Sequence, residues 1–227
     1  MRFADWESTY ADICRDFGFD PDSDMMSVRL LCSLTLNSNL CDSDPIIERM
    51  TGTVSVIGDS PDLEKDLSYR SPEGCILCSG SAVGRLVSAG FQPDIVVTDL
   101  DGEIGPQLDA SRNGTLTLIL AHADNTDLVR EYAPQFKGPI VLTTQGRPFG
   151  NVFCFGGFTD GDRAVCVARE FGARNIFLYG FDFEHPNPKK NSDPAMKLRK
   201  LSWARKIIYS GGGDDITDIS EKRPLGL

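Results

Sequence analysis

The feature that most constrains this chain is an alternation of short apolar runs with amphipathic stretches, which begins at Thr53 and continues through most of the remaining sequence. Amphipathic stretches with helical spacing lie between several of the runs, at 81–90, 124–135 and 160–172. Strands that alternate with helices form βαβ units. The sequence therefore predicts a three-layer α/β fold, in which a mostly parallel sheet is flanked by helices. The runs with the length and β-branched content of buried strands are 53–58, 74–80, 94–99, 115–122, 139–144, 151–157 and 175–183.

The N-terminal part of the chain follows a different pattern. Apolar residues recur at spacings of three and four between Trp6 and Phe17, which predicts a helix that Gly18 ends. Residues 25–40 predict a second apolar helix, and neither segment carries a loop with obvious chemistry. We interpret residues 1–50 as a small helical cap or a dimerisation element, so that a homodimer is one expectation.

The α/β domain is expected to span residues 51–227. Near its end, the polar and proline-rich segment 184–194 predicts a loop, and the spacing of 195–209 predicts a C-terminal helix. The helix carries a run of lysines and arginines, which forms either a solvated face or a phosphate-binding face. The residues from Gly211 to Leu227 are expected to be a loop and a tail.

Composition excludes several classes of protein. The formal net charge of -10 disfavours binding to a nucleic-acid backbone. No run approaches the roughly 20 apolar residues that span a bilayer, and the acidic N-terminus lacks the apolar core of a secretory signal. The 7 cysteines are irregularly spaced and odd in number, which predicts small core residues rather than disulfides. We therefore expect a cytoplasmic protein without a membrane or nucleic-acid partner.

Polar residues follow one strand in a pattern that suits a metal. Ligands of open parallel sheets bind beyond the carboxyl ends of the strands, and the third predicted strand ends in Asp99-Leu100-Asp101-Gly102. Two carboxylates one residue apart can chelate Mg²⁺, which takes oxygen ligands and completes its shell with water and substrate phosphates. The alternative is a solvated Asp-Gly turn. Because an unpaired charge at the end of a buried run is costly, we favour a metal site at Asp99 and Asp101.

Small and hydroxylic residues follow three other strands. Glycines allow close backbone approach, and the free N–H groups that open a helix bind anions. The alternatives are ordinary helix capping and close helix–sheet packing. The residues predicted in this way to bind a phosphate or another anion are Gly58, Asp59, Ser60, Gly80, Ser81, Gly156, Gly157 and Thr159.

Two further strand ends carry residues that suit the reaction or the second substrate. After the fourth strand, Asp124 and Asp127 are expected to share the first turn of a helix, as further metal ligands or water-holders, or as residues that favour the helix dipole. Asp182 stands between two phenylalanines, an arrangement that suits a flat heterocycle with N–H donors, or else caps its own loop. The residues predicted to contact a substrate are His122, Asn125, Asp162 and Asp182.

Taken together, these segments resemble a known family, the archaeal 6-hydroxymethyl-7,8-dihydropterin pyrophosphokinases of the methanopterin-pathway type. That family is related in fold to the catalytic domain of thiamin pyrophosphokinases. The likeness runs from about Thr53 to Trp203. The segments that carry it, in order, are DIVVTDLDG, AHADNTD, GGFTDGDRA, LYGFDF and KLRKLSWA.

The resemblance implies ATP as co-substrate, Mg²⁺ as cofactor and a pterin alcohol as acceptor. The acceptor hydroxyl would attack the β-phosphorus of ATP, and AMP would leave. Arg85, Arg147, Arg163 or a C-terminal lysine is expected to face the phosphates. Three alternatives stay open: a nucleotide-sugar glycosyltransferase that uses Asp99 and Asp101 as its metal clamp, a thiamin pyrophosphokinase-like enzyme, and a non-catalytic nucleotide-binding module.

Overall fold

The fold is a sheet of parallel strands with helices on both faces. A computed structural model describes residues 3–187 and 193–223 of the chain. Its helices are α1 Phe3–Phe17, α2 Pro21–Leu34, α3 Asp44–Arg49, α4 Leu63–Tyr69, α5 Val83–Ser88, α6 Ile104–Arg112, α7 Thr126–Tyr132, α8 Asp160–Glu170, α9 Pro194–Ile208 and α10 Ile219–Lys222. Its strands are β1 Thr53–Ile57, β2 Cys75–Ser79, β3 Ile95–Thr98, β4 Leu116–Leu120, β5 Ile140–Thr143, β6 Val152–Phe153, β7 Asn175–Tyr179 and β8 Ile216–Asp218.

The strand order fixes where a ligand can bind. The strands are arranged β6-β5-β4-β3-β2-β1-β7-β8, and each neighbouring pair is parallel. The chain builds the sheet outward from β1 to β6, crosses back through α8, and pairs β7 with the free side of β1. The order therefore reverses between β1 and β7, and a crevice opens at their carboxyl ends. The predicted fold class is confirmed.

Both faces of the sheet are buried. Side chains alternate along each strand, so Val54 and Val56 pack with α8 on one face whereas Ile57 packs with α4 and α5 on the other. Cys75 and Cys78 likewise belong to opposite faces of β2, and all 7 cysteines are free thiols. Two packed helix layers explain why the strands read as continuous apolar runs instead of an apolar–polar alternation.

The N-terminal helices share this core. Trp6 and Ile13 of α1 pack against residues of α8 and α9, and Val28 and Leu31 of α2 pack against the β4 and β5 side of the sheet. The second helix covers Pro21–Leu34 instead of 25–40, because an Asp cap and a proline at the first helical position start a helix before its apolar face begins. Neither these helices nor any other in the described ranges is long and apolar enough to cross a membrane. The boundary at residue 50 stays a prediction.

The structure of the C-terminal part differs from the loop and tail that were expected from the sequence. Residues 216–218 form β8 on the free edge of β7, and α10 follows directly. Segments of three and four residues are too short to show a periodicity, so the sheet edge and the Asp218 cap of α10 determine this structure. Residues 188–192 of the predicted loop and 224–227 of the predicted tail lie outside the described residues.

Candidate active site

A cavity of about 520 Å³ lies at the carboxyl end of the sheet, over the point where the strand order reverses. Residues that follow β1, β2, β3, β4, β5 and β7 line it, together with the first turn of α8, the α1–α2 junction and one side of α9. The cavity has the size of a small-molecule site. The predicted site residues that line it are Gly58, Asp59, Ser60, Ser81, Asp99, Asp101, His122, Asp124, Thr159 and Asp182.

The turn after β3 brings two carboxylates to the cavity. Leu100 adopts a φ of 67°, a conformation that costs a non-glycine residue on the order of 1–3 kcal/mol. Its N–H donates to Thr98 Oγ1 at 2.8 Å, and Gln107 Nε2 donates to the Asp101 carbonyl at 3.0 Å. The Leu100 side chain is buried in the core. The strained turn therefore holds Asp99 and Asp101 at the cavity.

Asp99 is held in its anionic form. Burial would raise the pKa of Asp99, but the neighbouring His122 imidazole and the Arg163 guanidinium outweigh it and hold that pKa well below the ordinary value. His122 Nε2 lies 3.6 Å from Asp99 Oδ2. Asn125 supports the same corner, because its side-chain amide donates to the Asp99 carbonyl at 2.8 Å. The cavity thus contains a fixed negative charge at β3.

This carboxylate pair can hold a divalent cation only with help from a ligand. Within residues 3–187 and 193–223, no three His, Cys, Asp or Glu side chains converge on one point as a protein-only cage would require. Mg²⁺ in phosphoryl-transfer sites is bound by one or two carboxylates and by substrate phosphates. Asp99 and Asp101 match that donor set.

Two buried hydroxyls at the cavity lack a protein partner. Ser60 and Ser79 are 5% and 4% exposed, and neither side-chain oxygen has a hydrogen bond in the described part of the chain. Ile57 pairs with Cys78, so the two serines follow neighbouring strand ends. A third such hydroxyl, on Thr117, lies inside β4 and away from the lining. Since buried polar atoms are almost always paired, Ser60 and Ser79 are positioned to bind a ligand.

Two glycines form the floor of the cavity between the ends of β1 and β7. A Cβ on Gly58 would lie 2.6 Å from the carbonyl oxygen of Gly180, and Gly180 has a φ of 66°. A side chain at either position would separate β1 from β7. The floor of the cavity at the reversal point is therefore bare backbone.

The start of α8 forms another wall. Thr159 and Asp162 make a capping box in which the Asp162 carboxylate accepts from the N–H groups of Phe158 and Thr159, both at 2.7 Å. Burial raises the pKa of Asp162. Asp162 is fully buried in this cap and does not line the cavity, whereas Thr159, Asp160 and Gly161 do.

Five other predicted residues also lie outside the lining. Asp127 is almost fully exposed and pairs with Arg130 at 2.7 Å. Asn125 is buried behind His122, whose N–H donates to its side-chain oxygen at 2.9 Å. The other three residues are glycines at positions that do not suit a side chain. A Cβ on Gly80 would meet the Thr98 side chain, a Cβ on Gly157 would meet the Arg163 backbone, and Gly156 has a positive φ.

Asp182 lines the cavity, but its own loop occupies its carboxylate. Oδ1 accepts from the N–H groups of Glu184 and His185, both at 2.8 Å, and Oδ2 lies 3.1 Å from His185 Nδ1. Of the two interpretations made from the sequence, this geometry favours the loop cap.

The basic residues of the lining come from α9. Arg85 pairs with Asp59 at 2.8 Å and with Glu64, and Arg163 pairs with Asp160 at 3.1 Å; neither lines the cavity, nor does the exposed Arg147. Lys197 and Lys200 do line it.

The two lysines stand over different parts of the cavity. Lys197 Nζ donates to the Asn187 carbonyl at 2.7 Å, and Lys200 Nζ lies 5.7 Å from the centre of the Phe158 ring. The basic helix predicted from the sequence therefore presents part of its charge to the site.

The sequence analysis missed the α1–α2 junction. Asp24 is 6% exposed, and its carboxylate accepts from Tyr10 Oη at 2.7 Å and from the Ala123 N–H at 2.8 Å. It thereby fixes the turn that carries His122. An aspartate within an apolar helical stretch was the available signal, but its partners are distant in the sequence. The residues that this junction contributes to the lining are Gly18, Phe19, Asp20, Ser23 and Asp24.

Comparison with known proteins gives a consistent result. Residues 34–188 match the family described as 6-hydroxymethylpterin diphosphokinase MptE-like. Proteins named 6-hydroxymethyl-7,8-dihydropterin pyrophosphokinase are similar over 92% of the chain: one from Pyrococcus furiosus at 35% identity, over 93% of its length, and one from Methanothermobacter thermautotrophicus at 34%, over 94%. A third, from Methanocaldococcus jannaschii, is 30% identical over 95% of its length.

Similarity to solved structures is much weaker. A glycosyltransferase from Magnetospirillum magneticum AMB-1 aligns with 64% of this chain and 25% of its own at 20% identity and a TM-score of 0.41. That likeness is too low to support a glycosyltransferase function.

Proposed function

The chain belongs to the MptE-like family of 6-hydroxymethylpterin diphosphokinases, and from this membership and the cavity we propose that ATP is its diphosphate donor, Mg²⁺ its cofactor and AMP its second product. It is thus a diphosphotransferase whose acceptor is a pterin. The observation that carries the finer proposal is one cavity that contains both the carboxylates of the Asp99–Asp101 turn and the unpartnered Ser60 and Ser79 hydroxyls.

The proposed reaction is an in-line displacement at phosphorus. A lone pair of the acceptor's hydroxymethyl oxygen forms a bond to the β-phosphorus as the bond from that phosphorus to the α,β-bridging oxygen breaks. The bridging oxygen keeps the electron pair and leaves as part of AMP. The hydroxyl proton passes to a carboxylate, for which we propose Asp124, because it lines the cavity and has no hydrogen bond or ion pair within the described ranges.

The protein's share of this reaction is positioning and neutralisation of charge. Mg²⁺, when bound, would neutralise phosphate charge, and Asp99 and Asp101 would hold it. The N–H groups that open α8 have no partner within the helix and attract anions. Lys197 and Lys200 add positive charge on the α9 side.

Product analysis tests this proposal. We expect the purified protein, incubated with ATP, Mg²⁺ and 6-hydroxymethyl-7,8-dihydropterin, to release AMP and the pterin diphosphate in equal amounts. Release of a nucleoside diphosphate would indicate a glycosyltransferase-type reaction instead. Turnover with thiamin and not with the pterin would identify thiamin as the acceptor. ATP binding without turnover of any alcohol would indicate a non-catalytic nucleotide-binding module.

Removal of divalent cations should abolish turnover without unfolding the protein. The two carboxylates are held by hydrogen bonds of their own turn, so the fold does not depend on a cation to close it. We expect a chelator to stop AMP release and to leave the melting temperature unchanged. A large fall in melting temperature on chelation would show that a metal supports the fold.

A further inference from the structure

We propose that the two heterocycles bind at opposite ends of the cavity, with the nucleotide base beside Phe181 and Phe183 and the pterin beside Phe19 and Phe158. The assignment rests on the proposed function and extends it. It also reverses the expectation from the sequence, which placed the acceptor at Asp182. The first reason is that the Asp182 carboxylate already accepts two N–H groups of its own loop.

The cavity has an aromatic surface at each end. Phe19 and Phe158 have ring centres 6.3 Å apart, and the Gln145 side chain donates to the Phe158 carbonyl at 3.1 Å, which places this pair at the end of β5. Phe181 and Phe183 have ring centres 6.0 Å apart and directly follow β7. Aromatic side chains of this kind stack on flat rings. A two-substrate reaction with two heterocycles requires two such surfaces.

The distances along the sheet distinguish the two ends. Neighbouring strands lie about 4.8 Å apart. The Asp99–Asp101 turn after β3 is two strands from β5, about 10 Å, and three strands from β7, about 14 Å. The reacting phosphorus must lie near the metal carboxylates. A pterin ring is joined to its reacting oxygen by one methylene, whereas ribose and the α-phosphate separate a base from the β-phosphorus. We call the stretch of cavity from the Asp99–Asp101 turn to β5 the shorter arm and the stretch from that turn to β7 the longer arm. The longer arm therefore suits the nucleotide.

The polar groups along each arm agree with this direction. Ser79 and Ser60 lie between the carboxylate turn and β7, where their unpartnered hydroxyls can donate to phosphate or ribose oxygens. The shorter arm carries the carboxylates of Asp20, Asp24 and Asp124, which repel a phosphate chain, whereas the charges of Asp59 and Asp160 on the other side are neutralised by Arg85 and Arg163.

The start of α8 joins the two arms. Phe158 directly precedes its cap, and a Cβ on Gly161 would lie 3.0 Å from the Phe181 ring. Lys200 stands over Phe158 at this point. The helix N-terminus thus lies between the two aromatic surfaces, where the transferred phosphates must pass, and Lys200 lies on its Phe158 side.

A matched pair of variants tests the assignment. Phe19→Leu and Phe183→Leu each remove a ring and keep an apolar side chain. We expect Phe19→Leu to weaken binding of 6-hydroxymethyl-7,8-dihydropterin on the order of three- to tenfold in calorimetric titration, with the affinity for a non-hydrolysable ATP analogue unchanged. Phe183→Leu should do the reverse. Ser79→Ala should weaken only the ATP analogue and leave the melting temperature unchanged, because this hydroxyl has no partner to lose.

A variant-free measurement accompanies these titrations. We expect 8-azidoadenosine triphosphate, after irradiation, to label the 181–187 peptide and not the 18–24 peptide of the wild-type protein. Exchange of the two affinity effects, or labelling at 18–24, would overturn the assignment while AMP release keeps the proposed function intact. Absence of both ATP binding and AMP release in the wild type would overturn both.

Discussion

Replacement of Asp101 by asparagine is expected to lower kcat on the order of 100- to 1,000-fold and to leave the melting temperature unchanged. The carboxylate lies at the cavity on an exposed turn, so the fold does not depend on its burial. Its loss would remove one of the two negative ligands that hold the cation against the reacting phosphates. Steady-state kinetics at saturating ATP and acceptor, with a melting curve for each protein, measure both effects.

Asp127→Asn is the matched control. Asp127 was predicted from the same kind of strand-end motif, but it is almost fully exposed on α7 and pairs with Arg130 outside the cavity. We expect its turnover to stay within about twofold of wild type, since the side chain lies outside the cavity and its loss removes only a surface ion pair. If Asp101→Asn retained activity similar to that of Asp127→Asn, Asp101 could not be a metal ligand.

The second large effect concerns stability. Asp66 is completely buried, and its carboxylate accepts from the Gly180 N–H at 2.9 Å, Ser220 Oγ at 2.8 Å and Arg223 Nη1 at 2.9 Å. It joins α4 to the floor of the cavity and to the C-terminal helix. Asp66→Ala would leave the Gly180 N–H and Arg223 Nη1 without their acceptor while Arg223 keeps its pair with Asp62, and each of the two losses is expected to lower the free energy of unfolding by about 1–3 kcal/mol. Urea denaturation monitored by circular dichroism measures the change.

Asp62 offers the control for that substitution. It pairs with the same Arg223 at 2.6 Å, but 42% of its side chain is exposed. Asp62→Ala is therefore expected to lower the free energy of unfolding by no more than about 1 kcal/mol. Equal losses in the two variants would show that the burial of Asp66, and its bond to Gly180, add nothing to stability.

Most of the sheet could be predicted from the sequence, because strands that are buried on both faces are recognisable as short apolar runs. Strands such as Thr53–Ile57 and Asn175–Tyr179 are mostly apolar, and the glycines that follow them are visible as breaks. The edge strand β8 has no such apolar run, because only its pairing with β7 determines it. The same holds for the early start of α2 at Pro21, which a cap and not a periodicity determines.

The candidate site was predictable where it follows from topology. Residues after parallel strands meet at one edge, so Asp99, Asp101 and Ser60 were found from the sequence alone. What could not be found depends on contacts between distant parts of the chain. Asp24 reaches Ala123 across 99 residues, whereas the loop cap of Asp182 is local and was one of the two interpretations that the sequence left open.

The strand order also dictates when the site can appear during synthesis. β1 gains its first neighbour, β2, soon after it emerges, but its second neighbour, β7, emerges only after β2 to β6 have been made. Until then β1 is an open apolar edge, which is the kind of surface that associates with other unfinished chains. The bare floor of Gly58 against Gly180 forms only when β7 docks. A chain that ends before Asn175 would therefore be an aggregation-prone, incomplete sheet of β1 to β6 without partial activity, and the active site is among the last parts of the molecule to form.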